Sequence, residues 1–119
     1  MSQDTNQINV FRKTVVALVR GEASDLTARQ LGVFLTCYLE SNAQTVRGLA
    51  MPLKVSKPAI SRSLDRLAGF DLIRRKPDPI DRRSVIVVRT PTGIAYLRVI
   101  RDVLTEATQM QNTDTKPTA

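Results

Sequence analysis

The chain has 119 residues, 42% of them hydrophobic and 24% charged, with a net charge of +7, one cysteine and no histidine. That length is one domain's worth and buries a core without disulfides or metals. The lone Cys37 excludes an intrachain disulfide, and the lack of histidine removes the commonest general base and metal ligand. No long apolar run is present, and the polar start MSQDTNQINV has neither a basic nor an apolar signal region. A cytoplasmic protein with no membrane partner is expected.

Residues 1–7 read as a disordered N-terminus. From Ile8 the apolar residues Ile8, Phe11, Val15 and Leu18 recur at helical spacing, and Gly21 ends that helix; with its loop this N-terminal segment covers 8–25. Thr27 with Gln30 three residues on has the spacing of a capping box. The helix it opens is expected to bury Leu31, Phe34, Leu35 and Tyr38 or Leu39, ending near Glu40. Thr45 caps a third, short helix with Leu49, Ala50 and Leu53 inward, which Pro52 is expected to end early. After a turn at Lys54-Val55, Ser56 caps a fourth helix, with Pro58 tolerated in its first turn. Its buried stripe is Ile60, Leu64 and Leu67. The period then changes: 72–75 and 85–89 read as paired short strands, with a polar, proline-rich loop over 76–84. Phe70 is expected to pack under this hairpin. Thr90-Pro91 starts a last helix over 91–110 with Ile94, Leu97, Ile100, Val103, Leu104 and Ala107 apolar, and 111–119 reads as a disordered tail.

The charge is concentrated. Residues 45–90 hold eleven basic and four acidic side chains, and the rest of the chain is neutral. Such asymmetry points to a polyanion, nucleic acid first and anionic membrane second. The third and fourth helices with their tight turn form a helix-turn-helix, and the order of elements predicts a mainly α fold with a small β-hairpin wing, a winged helix-turn-helix over 26–90. Projected at 100° per residue, the fourth helix turns Pro58, Arg62 and Asp65 outward, flanked by Ser61 and Arg66. That narrow polar face suits a major groove, where Arg reads guanine; the alternative is an ordinary amphipathic surface helix. Arg82 and Arg83 sit at the far end of the hairpin and suit a narrow minor groove. Asp81 beside them either orients an arginine through a bidentate pair or only rigidifies the loop. Arg74, Arg75 and Lys76 read as phosphate contacts or as solvated charges.

Residues 26–93 resemble the MarR family of bacterial winged-helix transcription regulators. The resemblance is carried by Leu26-Thr27 with Gln30, Leu49-Ala50, Val55-Ser56 through Ile60-Ser61-Arg62 to Leu64-Asp65-Arg66-Leu67, Leu72-Ile73 with Arg75, and 78–84 running into Thr90 and Gly93. It implies a homodimer on a palindromic operator of double-stranded DNA, acting most commonly as a repressor. Each recognition helix lies in a major groove, with Ser56, Lys57, Ser61, Arg62 and Arg66 as contacts. Each wing lies in a minor groove, with Arg83 inserted and Asp81 bracing it. Asp71 stands where the family usually has glycine, which a left-handed turn explains. With the first and last helices alone available for dimerisation, Ile8, Phe11, Val15, Leu18, Ile94, Leu97, Ile100 and Leu104 are the expected interface. Little wall remains for an effector pocket, so small-molecule regulation is expected to be weak or absent.

Buried Cys37 reads as a small hydrophobe. No enzyme, cofactor or metal site is expected, since histidine, a Gly-rich phosphate loop and a metal cluster are all missing from the sequence. The rival reading is a winged helix used as an interaction or assembly module, its basic face against an acidic protein.

Overall fold

Four of the five helices begin on the caps the sequence announces. A computed structural model describes residues 3–21 and 24–114, with side chains over 5–21 and 24–112. The order is α1 (Gln3–Arg20), α2 (Ala28–Leu39), α3 (Val46–Leu53), α4 (Lys57–Gly69), β1 (Ile73–Pro77), β2 (Val85–Arg89) and α5 (Pro91–Asp114). Thr27 and Gln30 form the capping box of α2, Thr45 accepts from the Gly48 amide, and Ser56 from the Ala59 amide. Thr90 Oγ1 accepts from the Gly93 amide at 2.9 Å. Each cap satisfies a donor that the first helical turn leaves open, worth about 1 kcal/mol.

The chain divides into two units. The first, Leu26–Leu97, contains α2, α3, α4, the hairpin and the start of α5. Its core is Val33, Phe34, Tyr38, Leu49, Ile60, Leu64, Leu67, Leu72 and Ile73, closed by Val87 and Tyr96. Phe34 stacks on Tyr38 at 4.4 Å between centroids and meets Tyr96 edge-on at 5.1 Å. The buried stripe of α4 is the expected one, each such residue contributing about 1.5–3 kcal/mol. On α2 the buried face is turned from the expected one. Val33 and Cys37 are buried, Leu31 and Leu35 are half-buried, and Leu39 is exposed, because α2 packs against α3, α4 and β2 together.

Two helix ends use left-handed residues that are not glycine, Lys54 (φ 54°) and Asp71 (φ 59°). Behind Lys54, the Val55 amide reaches back to the Ala50 carbonyl; behind Asp71, the Leu72 amide reaches the Leu67 carbonyl. These turns close α3 and α4 in the manner of a Schellman motif. The Asp71 turn is the one expected from the family resemblance, in which glycine usually holds this position. Pro52, expected to stop α3 early, instead lies inside it, one residue before its end; so close to the C-terminus a proline removes one hydrogen bond without stopping the turn. The hairpin pairs Ile73 with Arg89 through Pro77 with Val85. Lys76 and Pro77, expected in the loop, thus extend β1. A two-stranded ribbon leaves one edge of β1 unpaired, where a proline costs no ladder bond.

The second unit is Met1–Asp25 with Arg98–Ala119, containing α1 and most of α5. Among the described residues its buried ones are small or polar: Thr14, Ala107 and Gln111. Both of its ends correct the sequence reading. α1 starts at Gln3 where disorder was expected through residue 7, and α5 continues to Asp114 where a tail was expected from 111. The physical cause is Gln111, 3% exposed, whose side chain donates to Asn6 Oδ1 at 3.2 Å and accepts from Lys13 Nζ at 3.2 Å. One polar residue thereby ties the last turns of α5 to the first turns of α1. The expectations for residues 1–2, 22–23 and 115–119 lie outside the described residues.

Candidate nucleic-acid interface

α4 presents the face that its periodicity requires. Lys57, Pro58, Arg62, Asp65 and Arg66 are exposed and Ser61 is half-buried, while Ala59, Ile60, Ser63, Leu64 and Leu67 are buried. Ser56 precedes the helix, its hydroxyl occupied by the cap. Two outward residues are already engaged. Asp65 accepts from Arg75 Nη2 at 2.6 Å, joining α4 to β1. It therefore serves the wing instead of standing free as a base acceptor, and Arg75 is not a free cation. Arg66 stacks its guanidinium on Phe70, 4.7 Å from the ring centre. Half-buried Phe70 thus carries an arginine at the end of α4.

The wing tip is held by carboxylates bound to backbone. Asp78 Oδ1 accepts from the Ile80 amide at 2.9 Å, and Asp81 Oδ1 from the Arg83 amide at 3.1 Å. The Asp81 backbone carbonyl also accepts from the Ser84 amide. The bidentate grip of Asp81 on an arginine is not what forms. A carboxylate followed by exposed amides two residues on closes an Asx turn more readily than it holds a flexible guanidinium in water. Asp81 braces Arg83 through its backbone, and the Arg82 and Arg83 side chains stand exposed at the tip with Ile80, which is 95% exposed.

The electrostatic consequence follows from pairing. All four carboxylates of the basic segment are engaged: Asp65 by Arg75, Asp71 by Arg74 at 3.5 Å and by Thr92, Asp78 and Asp81 by the tip backbone. Arg89 is occupied as well. It donates to the Glu40 carbonyl at 2.9 Å and the Cys37 carbonyl at 3.4 Å, and lies 5.6 Å from the Tyr38 ring centre. There it caps the C-terminus of α2, where a cation is favoured. Arg47, Lys54, Lys57, Arg62, Lys76, Arg82 and Arg83 have no ion-pair partner among the described residues. Cations without internal partners are the ones available to a polyanion.

Sequence reasoning missed three residues of this lobe. Tyr38 bridges the wing and α5: its hydroxyl donates to the Leu72 carbonyl at 2.6 Å and accepts from the Thr90 amide at 3.1 Å. Nothing in the sequence separates such a tyrosine from an ordinary core aromatic. Arg29 and Ser63 line a pocket with Arg62. Arg29 follows a capping box, which signals a helix start but not what faces it. Among the described residues no three His, Cys, Asp or Glu side chains gather as a metal requires. Burial pushes the Cys37 thiol up to about 11, the Arg89 charge offsetting part of the rise, so it stays protonated at neutral pH.

In the other unit, Ile8, Phe11, Val15 and Val19 are 67, 66, 40 and 69% exposed on α1, as is Leu104 at 45% on α5; Leu18 and Ile100 are half-buried. In the first unit Ile94 is 43% exposed and Leu97 half-buried. α1 and α5 also flank a groove of about 530 Å³ with Val16, Ala17, Val103 and Ala107 in its lining. That volume is within the range of small-ligand sites, larger than the sequence suggested. No described helix is long and apolar enough to cross a membrane.

Comparison with known proteins gives a consistent result. The chain is 30% identical over 82 residues to the HTH-type transcriptional regulator MT0903.1 of Mycobacterium tuberculosis and to Mb0904 of Mycobacterium bovis. The match covers 69% of this chain and spans 57% of the length of those relatives. Among solved structures, a MepR variant of S. aureus bound to an oligodeoxyribonucleotide superposes with a TM-score of 0.80 at 21% identity, covering 95% of this chain and 80% of that one. RV1404 of Mycobacterium tuberculosis gives 0.80 at 20% identity, over 96% and 76%. The repressor CouR, bound to a 23-mer duplex, gives 0.69 at 25% identity, over 92% and 75%. The sequence pattern described as MarR family matches residues 26–85, the stretch that holds the capped helices and the wing up to its second strand. With its winged-helix fold and this match, the chain belongs to the MarR family.

Proposed function

We propose that this chain is a sequence-specific transcriptional regulator of the cytoplasm that binds double-stranded DNA as a homodimer on a palindromic operator, and that it represses by occupancy. The observation that carries the reading is the pairing pattern. Every carboxylate of the basic segment is engaged within the lobe, while Lys57 and Arg62 on α4 and Arg82 and Arg83 on the wing tip have no ion-pair partner among the described residues. α4 would enter the major groove with Lys57, Pro58, Ser61 and Arg62, and Arg83 the adjacent minor groove. Asp65 and Arg75 fix the wing to the helix, so the two probes move as one. Relatives support the reading: CouR is a transcriptional repressor bound to a duplex, and the mycobacterial relatives are HTH-type regulators.

Homodimerisation is supported by the apolar face of α1, with Ile8 and Phe11 each about two-thirds exposed. A second copy supplies a matching surface, and a two-fold dimer presents two recognition helices to two half-sites.

The test is binding of the Arg62→Ala and Arg83→Ala variants to operator fragments selected from genomic DNA and to random duplex. Arg62→Ala should relax base preference, costing about 1–3 kcal/mol on the operator and little on random duplex. Arg83→Ala should weaken binding to both. If both variants bind both duplexes as the parent does, the basic face serves an acidic protein partner instead.

A further inference from the structure

The capping box of α2 leaves part of its work undone. Thr27 Oγ1 accepts from the Gln30 amide at 3.2 Å, and Gln30 Oε1 accepts from the Thr27 amide at 3.0 Å. The Leu31 amide bonds the Thr27 carbonyl at 2.8 Å. The amides of Ala28 and Arg29, the first two of the helix, have no acceptor among the described residues. Both residues line a pocket of about 460 Å³, whose other wall is α4, with Arg62 and Ser63.

Ser63 supplies the second observation. It is only 4% exposed, yet its hydroxyl has no hydrogen-bond partner among the described residues. Among the described residues no side-chain oxygen sealed from solvent is left unpaired, so the Ser63 hydroxyl keeps an opening, and Ser63 lines this pocket. A hydroxyl with no protein partner and a small opening is satisfied there by water, and a ligand oxygen can take the same place. Arg29 and Arg62 also lack ion-pair partners among the described residues, and no acidic side chain lines the pocket. Two free amides at the positive end of a helix, a hydroxyl and two guanidinium groups are the donor set of an oxyanion site.

We propose that this pocket is a phosphate site, in which the Ala28 and Arg29 amides, the Arg29 guanidinium and the Ser63 hydroxyl hold one backbone phosphate of the bound duplex, with Arg62 at its rim. The inference rests on the DNA-binding reading above. α4 carries both the pocket wall and the face that enters the groove, so a duplex meeting that face brings its backbone past α2. The site adds affinity and register but no base preference, and it places a contact, Arg29, outside the segment that holds the excess charge.

The experiment measures affinity over a salt series for the parent, Arg29→Gln and Ser63→Ala, on operator and random duplex. A parallel arm titrates the DNA-free proteins with inorganic phosphate and follows the Ala28 and Arg29 amides by NMR. Arg29→Gln should lower affinity about five-fold near 0.15 M salt on both duplexes, with the slope of log K against log salt shallower by about 0.9. Ser63→Ala should weaken both about two- to five-fold with the slope unchanged, and base preference should survive in both variants. Phosphate should move the two amides in the parent and not in Arg29→Gln. If the parent binds DNA and Arg29→Gln leaves the slope unaltered, the site is refuted while the DNA reading stands. If no duplex is bound but phosphate still moves the amides, the pocket is a free-phosphate site and both the backbone assignment and the DNA reading fail. Amides that phosphate never moves also overturn the proposal.

Discussion

Replacing Tyr38 by phenylalanine removes one oxygen and tests how the winged lobe is held together. The hydroxyl joins the residue before β1 to the residue before α5, donating to Leu72 and accepting from Thr90. Leu72 and Thr90 are 2 and 1% exposed and Tyr38 is 6% exposed, so water does not readily replace the missing group. Each buried backbone group left unpaired costs about 1–3 kcal/mol. Two such groups lower stability by about 3 kcal/mol, and near 4–8 °C per kcal/mol the Tm falls by roughly 12–24 °C. The ring stays, so the stacking on Phe34 is unchanged and the loss belongs to the hydroxyl. Urea unfolding should show a lower midpoint at constant slope, the mark of a stability change without a change in exposed surface. A loss under about 0.5 kcal/mol would refute the reasoning, since it would mean that neither backbone group depended on Tyr38.

Other perturbations follow from the same contacts. A Cβ at Gly93 collides with the Tyr38 hydroxyl and with the Leu72 carbonyl, so Gly93→Ala should cost about 3 kcal/mol or more. Adding Tyr38→Phe should restore little by thermal melt, because the Leu72 carbonyl remains in the way. Lys54→Gly relieves the left-handed strain at the α3–α4 turn and should raise stability by about 0.5–1 kcal/mol; Lys54→Ala, which keeps the Cβ, should bring no such gain. The Cys37 thiol, raised from 9.0 to about 11 by burial, contributes stability that is present below pH 9 and lost as pH rises to 11. Relative to Cys37→Ala, the parent should lose up to about 1.4 kcal/mol per pH unit in that window, measured by urea unfolding. Equal pH dependence of the two proteins would refute it.

Legibility in the sequence tracked the range of each interaction. The helix starts at Thr27, Thr45, Ser56 and Thr90 were readable because a cap and the amide it satisfies lie three residues apart. The left-handed Asp71 was readable only through the family resemblance, because it stands where that family usually has glycine. The outward face of α4 followed from periodicity and one buried stripe. The charge asymmetry needed only counting, and it marked the segment that carries the excess charge without saying which cations were free.

What the sequence by itself determined, then, is the set of elements, the winged helix-turn-helix they make and the segment that concentrates the positive charge. Tertiary structure decided the pairings. Any of several arginines was equivalent as a partner for Asp65 until β1 brought Arg75 to 2.6 Å, and Arg89 became a cap on α2 only because β2 lies beside that helix. Asp81 turned to the backbone and not to its neighbouring arginines. Gln111 became a buried tie between α1 and α5 where its polarity had suggested a free tail. The physical reason is common to all four. A charged or amide side chain has many acceptable partners of similar energy, and distance across the fold selects one, whereas a cap or an apolar stripe finds its partner within a turn of its own chain.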